Sequence, residues 1–154
     1  MTVTPAILFC AAITSHSATI GQAAVDKACK EAETVLEASE KHDVDPYLLT
    51  SLIYVESGWN TNAVSTSNAC GLSQVLTSSS KYSCEKLKQP KIGINEGARI
   101  LGYWTHKYSK SNVDLALCAY NRGHCSVKNP DKKGLTYARK VLKIFKGLIT
   151  KGES

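Results

Sequence analysis

The stretch that decides the fold reads DPYLLTSLIYVESGWN, residues 45–60. Asp45 followed by Pro46 is a helix start signal, because the carboxylate can cap free N–H groups and proline suits the first helical position. Gly58 is a typical helix stop. The pattern therefore predicts a helix over Tyr47–Ser57, most of it apolar.

Glu56 lies on the apolar face of this predicted helix. Its neighbours on that face, three, four and seven residues earlier, are Ile53, Leu52 and Leu49. Burial and the negative end of the helix dipole both raise the pKa of a carboxyl group. A glutamic acid that stays protonated near neutral pH can act as a general acid. The alternative is a structural glutamate that reaches solvent from the edge of the core.

Helical periodicity continues through the rest of the chain. Short-range apolar spacing predicts helices over Ala23–His42, Ile92–Tyr108, Val113–Tyr120 and Leu135–Ile149, and a short helix opening at Gly71 with LSQVL. Neither a repeat nor a second domain is evident. We expect an all-α protein with one domain over residues 23–154.

The N-terminal segment, residues 1–22, has an apolar centre followed by small residues. This order is typical of an export leader, with cleavage after Ser17 or Ala18. No lysine or arginine precedes the apolar run, which leaves open a short N-terminal helix or strand of the mature protein. Its apolar run is too short to cross a bilayer, which takes about 20 residues.

Charge and composition narrow the choice of partners. The chain has 154 residues, a formal net charge of +6 and a hydrophobic fraction of 43%, as in ordinary globular proteins. The positive charge favours anionic partners, including the acidic polymers of a cell envelope. Nucleic acid is not expected, because the sequence has neither a zinc-finger spacing nor alternating aromatic and basic residues.

The six cysteines form an even set in a short chain, which favours disulfides and an oxidising compartment. We prefer Cys70 with Cys84 and Cys118 with Cys125, since both pairs close short polar loops; Cys10 and Cys29 then remain to pair. Buried reduced cysteines are the alternative. A zinc site at Cys118, His124 and Cys125 would have too few ligands.

Three motifs follow one another along the chain: ESGWNTNAVS from Glu56, GLSQVL from Gly71 and AYNRG from Ala119. In this order they resemble the lysozyme-like lytic transglycosylases that cleave peptidoglycan, a family related in fold to goose-type lysozymes. The segments INEGARIL and YARKVLKIF resemble the helices that support and close the site in that family. The resemblance covers most of residues 45–145.

The resemblance also implies roles for particular residues. Glu56 would be the catalytic acid and base, with Ser57 as its companion and Ser65 near the bound sugar. Gln74 resembles a substrate-binding glutamine. Tyr120 would hydrogen-bond Glu56, and Asn121 would line the cleft. The chain departs from the family pattern at Ser73, where methionine is frequent, at Arg122, and in lacking an acidic residue shortly before Tyr137.

The acidic residues also bear on the mechanism. A glycosidase with two carboxylates needs a second acid across the scissile bond, and Glu85, Glu96 and Asp114 are poor candidates from their sequence contexts. A single carboxyl suits a transglycosylase, in which the sugar's own carbon-6 hydroxyl is the nucleophile and no metal or organic cofactor is required.

Several alternatives remain open at this point. A goose-type lysozyme would hydrolyse the same bond with water, and a weakly catalytic module would only bind the wall. We expect a monomer that acts on peptidoglycan strands, in the periplasm, outside the cell, or as a phage product on the host wall.

Overall fold

The N-terminal segment is helical and packs into the core. In a computed structural model that describes residues 2–150, helix α1 spans Pro5–Ser15 and a short α2 spans Ser17–Ile20. Phe9 and Ile13 of α1 are buried in the main hydrophobic cluster. This conformation matches the N-terminal helix left open by the sequence. Removal of residues 1–22 as a leader stays a prediction.

The amphipathic segment expected over Ala23–His42 forms two helices, α3 over Gln22–Lys30 and α4 over Ala32–His42. The break lies at Glu31, whose N–H turns back to the carbonyl of Ala28. Buried residues nevertheless keep a spacing of three or four across the break: Val25, Ala28, Ala32 and Val35. The apolar pattern therefore predicted one helix where the backbone makes two.

Helix α5 spans Pro46–Ser57, as the opening stretch predicted. The Asp45 carboxylate accepts hydrogen bonds from the N–H groups of Tyr47 and Leu48, at 2.7 and 3.1 Å. Gly58 ends the helix in the left-handed conformation, with φ at 60°. The helix is thus fixed at both ends, and Glu56 lies in its last turn.

The short helix predicted at Gly71 is wrong. Ala69–Cys70 and Val75–Leu76 form antiparallel strands β1 and β2, joined by a tight turn. Gly71 and Gln74 both have positive φ, 78° and 48°, which a right-handed helix does not allow. A side chain on Gly71 would also overlap the backbone of Leu87. A short 3₁₀ turn over Thr77–Ser79 and helix α6 over Cys84–Leu87 follow.

The remaining predicted helices are confirmed with shifted ends. Helix α7 spans Pro90–Gly102 and continues as a π-helical segment over Tyr103–Tyr108. Helix α8 spans Val113–Arg122 and is capped by Asn112, and α9 spans Lys132–Ile149 and is capped by Asp131. Helix α9 packs along both α5 and α8, and α7 packs against α4. This arrangement brings α8, α9 and the turn between β1 and β2 close to the end of α5.

The preferred cysteine pairing is confirmed. Disulfides join Cys10 to Cys29, Cys70 to Cys84 and Cys118 to Cys125. The first holds α1 to α3, the second holds β1 to α6, and the third closes the loop after α8. Between residues 2 and 150, every helix is too short or too polar to cross a membrane.

Candidate active site

Glu56 lies half-buried at the end of α5, beside helix α9. The hydroxyl of Tyr137, on α9, donates a hydrogen bond to Glu56 Oε1 at 2.6 Å. Burial raises the pKa of the Glu56 carboxyl from 4.5 to about 7, and the Tyr137 hydrogen bond lowers it in part. A substantial fraction of this carboxyl therefore holds a proton at neutral pH, as a general acid requires.

An open groove of about 570 Å³ runs along the face where α5, α8 and α9 meet. Glu56 and Tyr137 lie in it together with Asn121 from α8 and Thr136 from α9. Three lysines of α9 also line this groove: Lys132, Lys133 and Lys140. The candidate acid thus faces an accessible channel that offers hydroxyl, amide and ammonium groups to a ligand.

The turn between β1 and β2 is tied to the same region by hydrogen bonds to its backbone carbonyls. Ser57 Oγ donates to the carbonyl of Leu72 at 2.8 Å. The hydroxyl of Tyr120 donates to the carbonyl of Ser73 at 2.7 Å. These bonds connect the ends of α5 and α8 to one turn, so the three sequence motifs meet in space.

An ion pair between the buried Glu96 and the exposed Arg99, both on α7, supports the segment that follows β2. Glu96 of α7 is 4% exposed, and its carboxylate accepts hydrogen bonds from Arg99 at 2.9 Å and from Ser80 Oγ at 2.7 Å. The Arg99 hydrogen bonds hold the pKa of Glu96 below its usual value. Glu96 is therefore a fixed carboxylate that holds the segment after β2 against α7.

The family model described as "Transglycosylase SLT domain" matches residues 33–142, more than two thirds of the chain. The matched range contains all three motifs and Tyr137. The chain belongs to the transglycosylase SLT domain family.

Curated relatives of this SLT domain include the endo-type membrane-bound lytic murein transglycosylase A of Salmonella paratyphi B and of Salmonella typhimurium. Each is 41% identical over 70 residues, which are 38% of this chain and 34% of the relative. The match thus spans about a third of the length of these relatives.

Two solved structures share the fold at low sequence identity. The lytic transglycosylase Slt of Pseudomonas aeruginosa, an inactive mutant, superimposes on 73% of this chain and 23% of its own with a TM-score of 0.63 at 18% identity. The 70-kDa soluble lytic transglycosylase in complex with bulgecin A covers 96% of this chain and 30% of its own, with a TM-score of 0.65 at 16% identity. The lysozyme-like, mainly helical fold expected from the sequence is confirmed.

The sequence predicted a hydrogen bond between Tyr120 and Glu56, and this prediction is wrong. Tyr120 bonds the Ser73 carbonyl, and Tyr137 occupies the position beside Glu56. Burial raises the pKa of both tyrosine hydroxyls well above 10, so each stays a hydrogen-bond donor at neutral pH. In this SLT domain Tyr120 therefore holds the turn between β1 and β2, and Tyr137 is the hydrogen-bond partner of the Glu56 carboxyl.

The other predicted site residues differ in where they lie. Asn121 lines the groove. The part of the chain that the structure describes places Ser57, Ser65 and Gln74 outside the groove lining. Ser65 Oγ accepts N–H bonds within the loop before β1. The Gln74 amide donates to the carbonyls of Ala63 and Gly71, both at 3.0 Å. These three side chains hold the backbone, and their direct contact with a ligand stays a prediction.

Three further side chains have surroundings that the sequence did not reveal. Ser73, where the family often has methionine, is fully buried against Gly97, and a Cβ on Gly97 would overlap it. The ring of Trp59 is not available to stack on a sugar, because its side chain is only 1% exposed. Trp104 is half-buried and packs edge-on against Tyr108.

Tyr137 and the lysines of the groove were missed as site residues. A signal for Tyr137 exists in α9, since it lies four residues before the buried Val141 and next to the buried Ala138. A tyrosine on such an apolar stripe needs a partner for its hydroxyl. The partner lies 81 residues away in the chain, which periodicity alone does not reveal.

Proposed function

We propose that this protein is a lytic transglycosylase that cleaves the β-1,4 bond between N-acetylmuramic acid and N-acetylglucosamine in peptidoglycan, leaving 1,6-anhydro ends. The observation that carries the proposal is Glu56, whose pKa is raised to about 7 in an open groove of an SLT domain. The names of the curated relatives, which are lytic murein transglycosylases, support the same reaction and substrate.

Glu56 performs two proton transfers in the proposed mechanism. First, the protonated carboxyl donates its proton to the glycosidic oxygen, the bond to carbon-1 breaks, and the leaving sugar departs as an alcohol. The resulting Glu56 carboxylate then accepts the proton of the carbon-6 hydroxyl as that oxygen bonds to carbon-1. The Tyr137 hydroxyl stabilises the carboxylate between these steps, and the second transfer returns Glu56 to its protonated form.

The lack of a second carboxyl in the groove favours this route over hydrolysis. Of the described residues that line the groove, Glu56 is the only acid. Glu96 is held by Arg99 and Ser80, and Glu85 is exposed beside Lys88. A hydrolase of the goose-lysozyme type has to position a water molecule by other means. That enzyme, and a wall-binding module with weak catalysis, are the alternatives.

We assign the polar residues around the groove to substrate binding, one by direct contact and four by holding the backbone in place. Asn121 offers an amide in the groove itself and is placed to contact an acetamido sugar. Ser57, Ser65, Gln74 and Tyr120 act through the backbone turns that they hold. The P. aeruginosa relative solved as an inactive mutant carries a glutamate-to-glutamine change, which supports a mechanism with one essential glutamate.

The location that fits this function is the cell envelope or the space outside the cell. Three disulfides support an oxidising compartment. Retention of residues 1–22 keeps the disulfide between Cys10 and Cys29, whereas their cleavage as an export leader would leave Cys29 without that partner. In either form the protein would act as a monomer on wall strands. A phage product acting on a host wall fits the same observations.

Digestion of purified peptidoglycan, followed by mass spectrometry of the released muropeptides, tests the proposal. We expect products that end in 1,6-anhydro sugars and are lighter by one water than hydrolysis products. Products with hydrated reducing ends would identify a lysozyme. Binding to peptidoglycan without released products would identify the wall-binding module.

A further inference from the structure

Helix α9 contributes three lysine side chains to the groove that contains Glu56. Lys132, Lys133 and Lys140 are exposed, and all three line the groove that contains Glu56. The reaction proposed above assigns them no role. Lys140 lies about two helical turns after Lys132 and Lys133, and the three side chains together line α9's side of the groove as a lysine rim.

No nearby carboxylate neutralises this lysine rim. The ion pairs within residues 2–150 do not include any of the three lysines. The closest acid in sequence, Asp131, accepts hydrogen bonds from the backbone N–H of Gly134 at 2.9 Å and from Arg122 at 3.2 Å. Because the Glu56 carboxyl is partly protonated at neutral pH, the groove carries excess positive charge.

The position of the rim is unfavourable for the helix itself. Lys132 and Lys133 occupy the first turn of α9, which contains no acidic residue. The N-terminus of a helix carries the positive end of its dipole, so a cation there is repelled by the dipole. Residues that oppose local stability in this way cluster at functional sites. The helix dipole and the lysines act together to attract an anion to this end of the groove.

We propose that the lysine rim binds the free carboxylates of the stem peptides attached to peptidoglycan strands, so that the enzyme prefers peptide-bearing strands over strands stripped of peptide. This inference rests on the proposed function. An amidase leaves a free lactyl carboxylate beside each N-acetylmuramic acid of a stripped strand, whereas a stem peptide, joined to that lactyl group by an amide bond, carries several free carboxylates farther from the sugar. Lysine is a mobile point charge, which suits carboxylates on a flexible peptide better than a fixed bidentate partner would.

Two double variants with the same change in charge test the rim. Lys133→Gln with Lys140→Gln removes two rim charges, and Lys143→Gln with Lys146→Gln removes two exposed charges of α9 outside the groove. Each variant is assayed on purified peptidoglycan free of secondary wall polymers, both with its peptides and after an amidase has removed them. The rate is the appearance of 1,6-anhydro ends at low substrate concentration.

The expected result is selective. The rim variant should lose about 3- to 10-fold in rate on peptide-bearing strands, the size expected for two exposed charge pairs. It should lose less on stripped strands, whose remaining lactyl carboxylates are fewer and lie against the sugar. An equal loss on both substrates would contradict the stem peptide as the source of the bound carboxylates. The control variant should match the parent on both substrates. Salt at about 0.5 M should reduce the preference of the parent, because exposed charges are screened. Equal rates of parent and rim variant on peptide-bearing strands would overturn the inference.

A binding measurement separates this inference from the proposed function. Co-sedimentation with peptide-bearing and stripped peptidoglycan is carried out in a Glu56→Gln background, so that no strand is cut. A larger loss of sedimentation by the rim variant on peptide-bearing material than on stripped material supports the rim even if the parent releases no 1,6-anhydro ends. Equal sedimentation of rim and control variants on both materials contradicts the rim even if the parent is an active transglycosylase.

Discussion

The hydroxyl of Tyr137 lies 2.6 Å from Oε1 of Glu56, across the contact between α9 and α5. This bond is the only one that the described residues make to the carboxylate of the candidate acid. It opposes the effect of burial on the pKa of Glu56. The strength of the acid is therefore set by how closely α9 packs on α5.

The first prediction concerns the pH dependence of cleavage. Glu56 must be protonated in order to act first as an acid, so activity should fall as the pH rises through about 7. Tyr137→Phe removes a hydrogen bond that favours the carboxylate, so the pKa of Glu56 should rise and the alkaline limb should move to higher pH. Initial rates measured from pH 5 to pH 9 test this shift.

Tyr120→Phe is the matched control for that experiment. Its hydroxyl bonds the Ser73 carbonyl rather than Glu56, so its loss should slow cleavage without moving the alkaline limb. An alkaline limb that is unchanged in Tyr137→Phe, or that moves equally in both variants, would disprove the assigned role of Tyr137.

The second prediction concerns stability. The folded protein holds a proton on Glu56 up to a pH of about 7, whereas the unfolded chain releases it near 4.5. Stability is therefore lost as the pH rises between these two values, by up to about 3 kcal/mol from this group. Glutamine at position 56 is neutral at every pH, so Glu56→Gln should be more stable than the parent at pH 8. The advantage should be smaller at pH 4, where the parent also holds a neutral carboxyl. Urea unfolding at both pH values measures the difference, and an equal advantage at both would contradict the raised pKa.

The third prediction concerns Ser73, whose buried Oγ has no hydrogen-bond partner among residues 2–150. A buried polar atom without a partner costs about 1–3 kcal/mol, so Ser73→Ala should stabilise the protein by about 1 kcal/mol. Ser57→Ala is the control, because its Oγ donates to the Leu72 carbonyl and its loss should destabilise by a similar amount. Destabilisation by Ser73→Ala in thermal unfolding would show that its hydroxyl is bonded.

The fourth prediction concerns the N-terminal segment. A chain that begins at Thr19 lacks Phe9 and Ile13, which are 3% and 0% exposed, as well as the disulfide to Cys29. Each lost apolar side chain accounts for about 1.5–3 kcal/mol of burial, and the disulfide for about 2–4 kcal/mol. Cys10→Ser with Cys29→Ser removes the disulfide alone. The shortened chain should unfold at a lower temperature than this double variant, and equal midpoints would mean that α1 adds no packing energy.

The sequence predicted those parts of the fold that depend on local chemistry. Asp45 and Asn112 cap α5 and α8 as expected, and Gly58 ends α5, because each acts on backbone groups within a few residues. The turn at Gly71 was mistaken for a helix because a six-residue segment with apolar residues at Leu72, Val75 and Leu76 is too short for periodicity to separate the two structures. The turn has two positive φ values and is held by a hydrogen bond from the distant Tyr120 to the Ser73 carbonyl, and periodicity reveals neither feature.

The candidate site was predicted in part for the same reason. Glu56 was identifiable because its position on an apolar helix face is a local property. The exchange of roles between Tyr120 and Tyr137 depends on how α9 packs against both α5 and α8, a contact between residues far apart in the chain. The lysine rim was not predicted, since the groove that gives it a role forms between three helices.

The most direct test of the central claim compares the parent with Glu56→Gln on purified peptidoglycan, with Glu85→Gln as a control at an exposed acid outside the groove. Circular dichroism confirms that each variant is folded. We predict that the parent and Glu85→Gln release 1,6-anhydro muropeptides at similar rates, whereas folded Glu56→Gln releases none above background. Release of these products by Glu56→Gln at the parental rate would contradict the assignment of Glu56 as the catalytic acid and base.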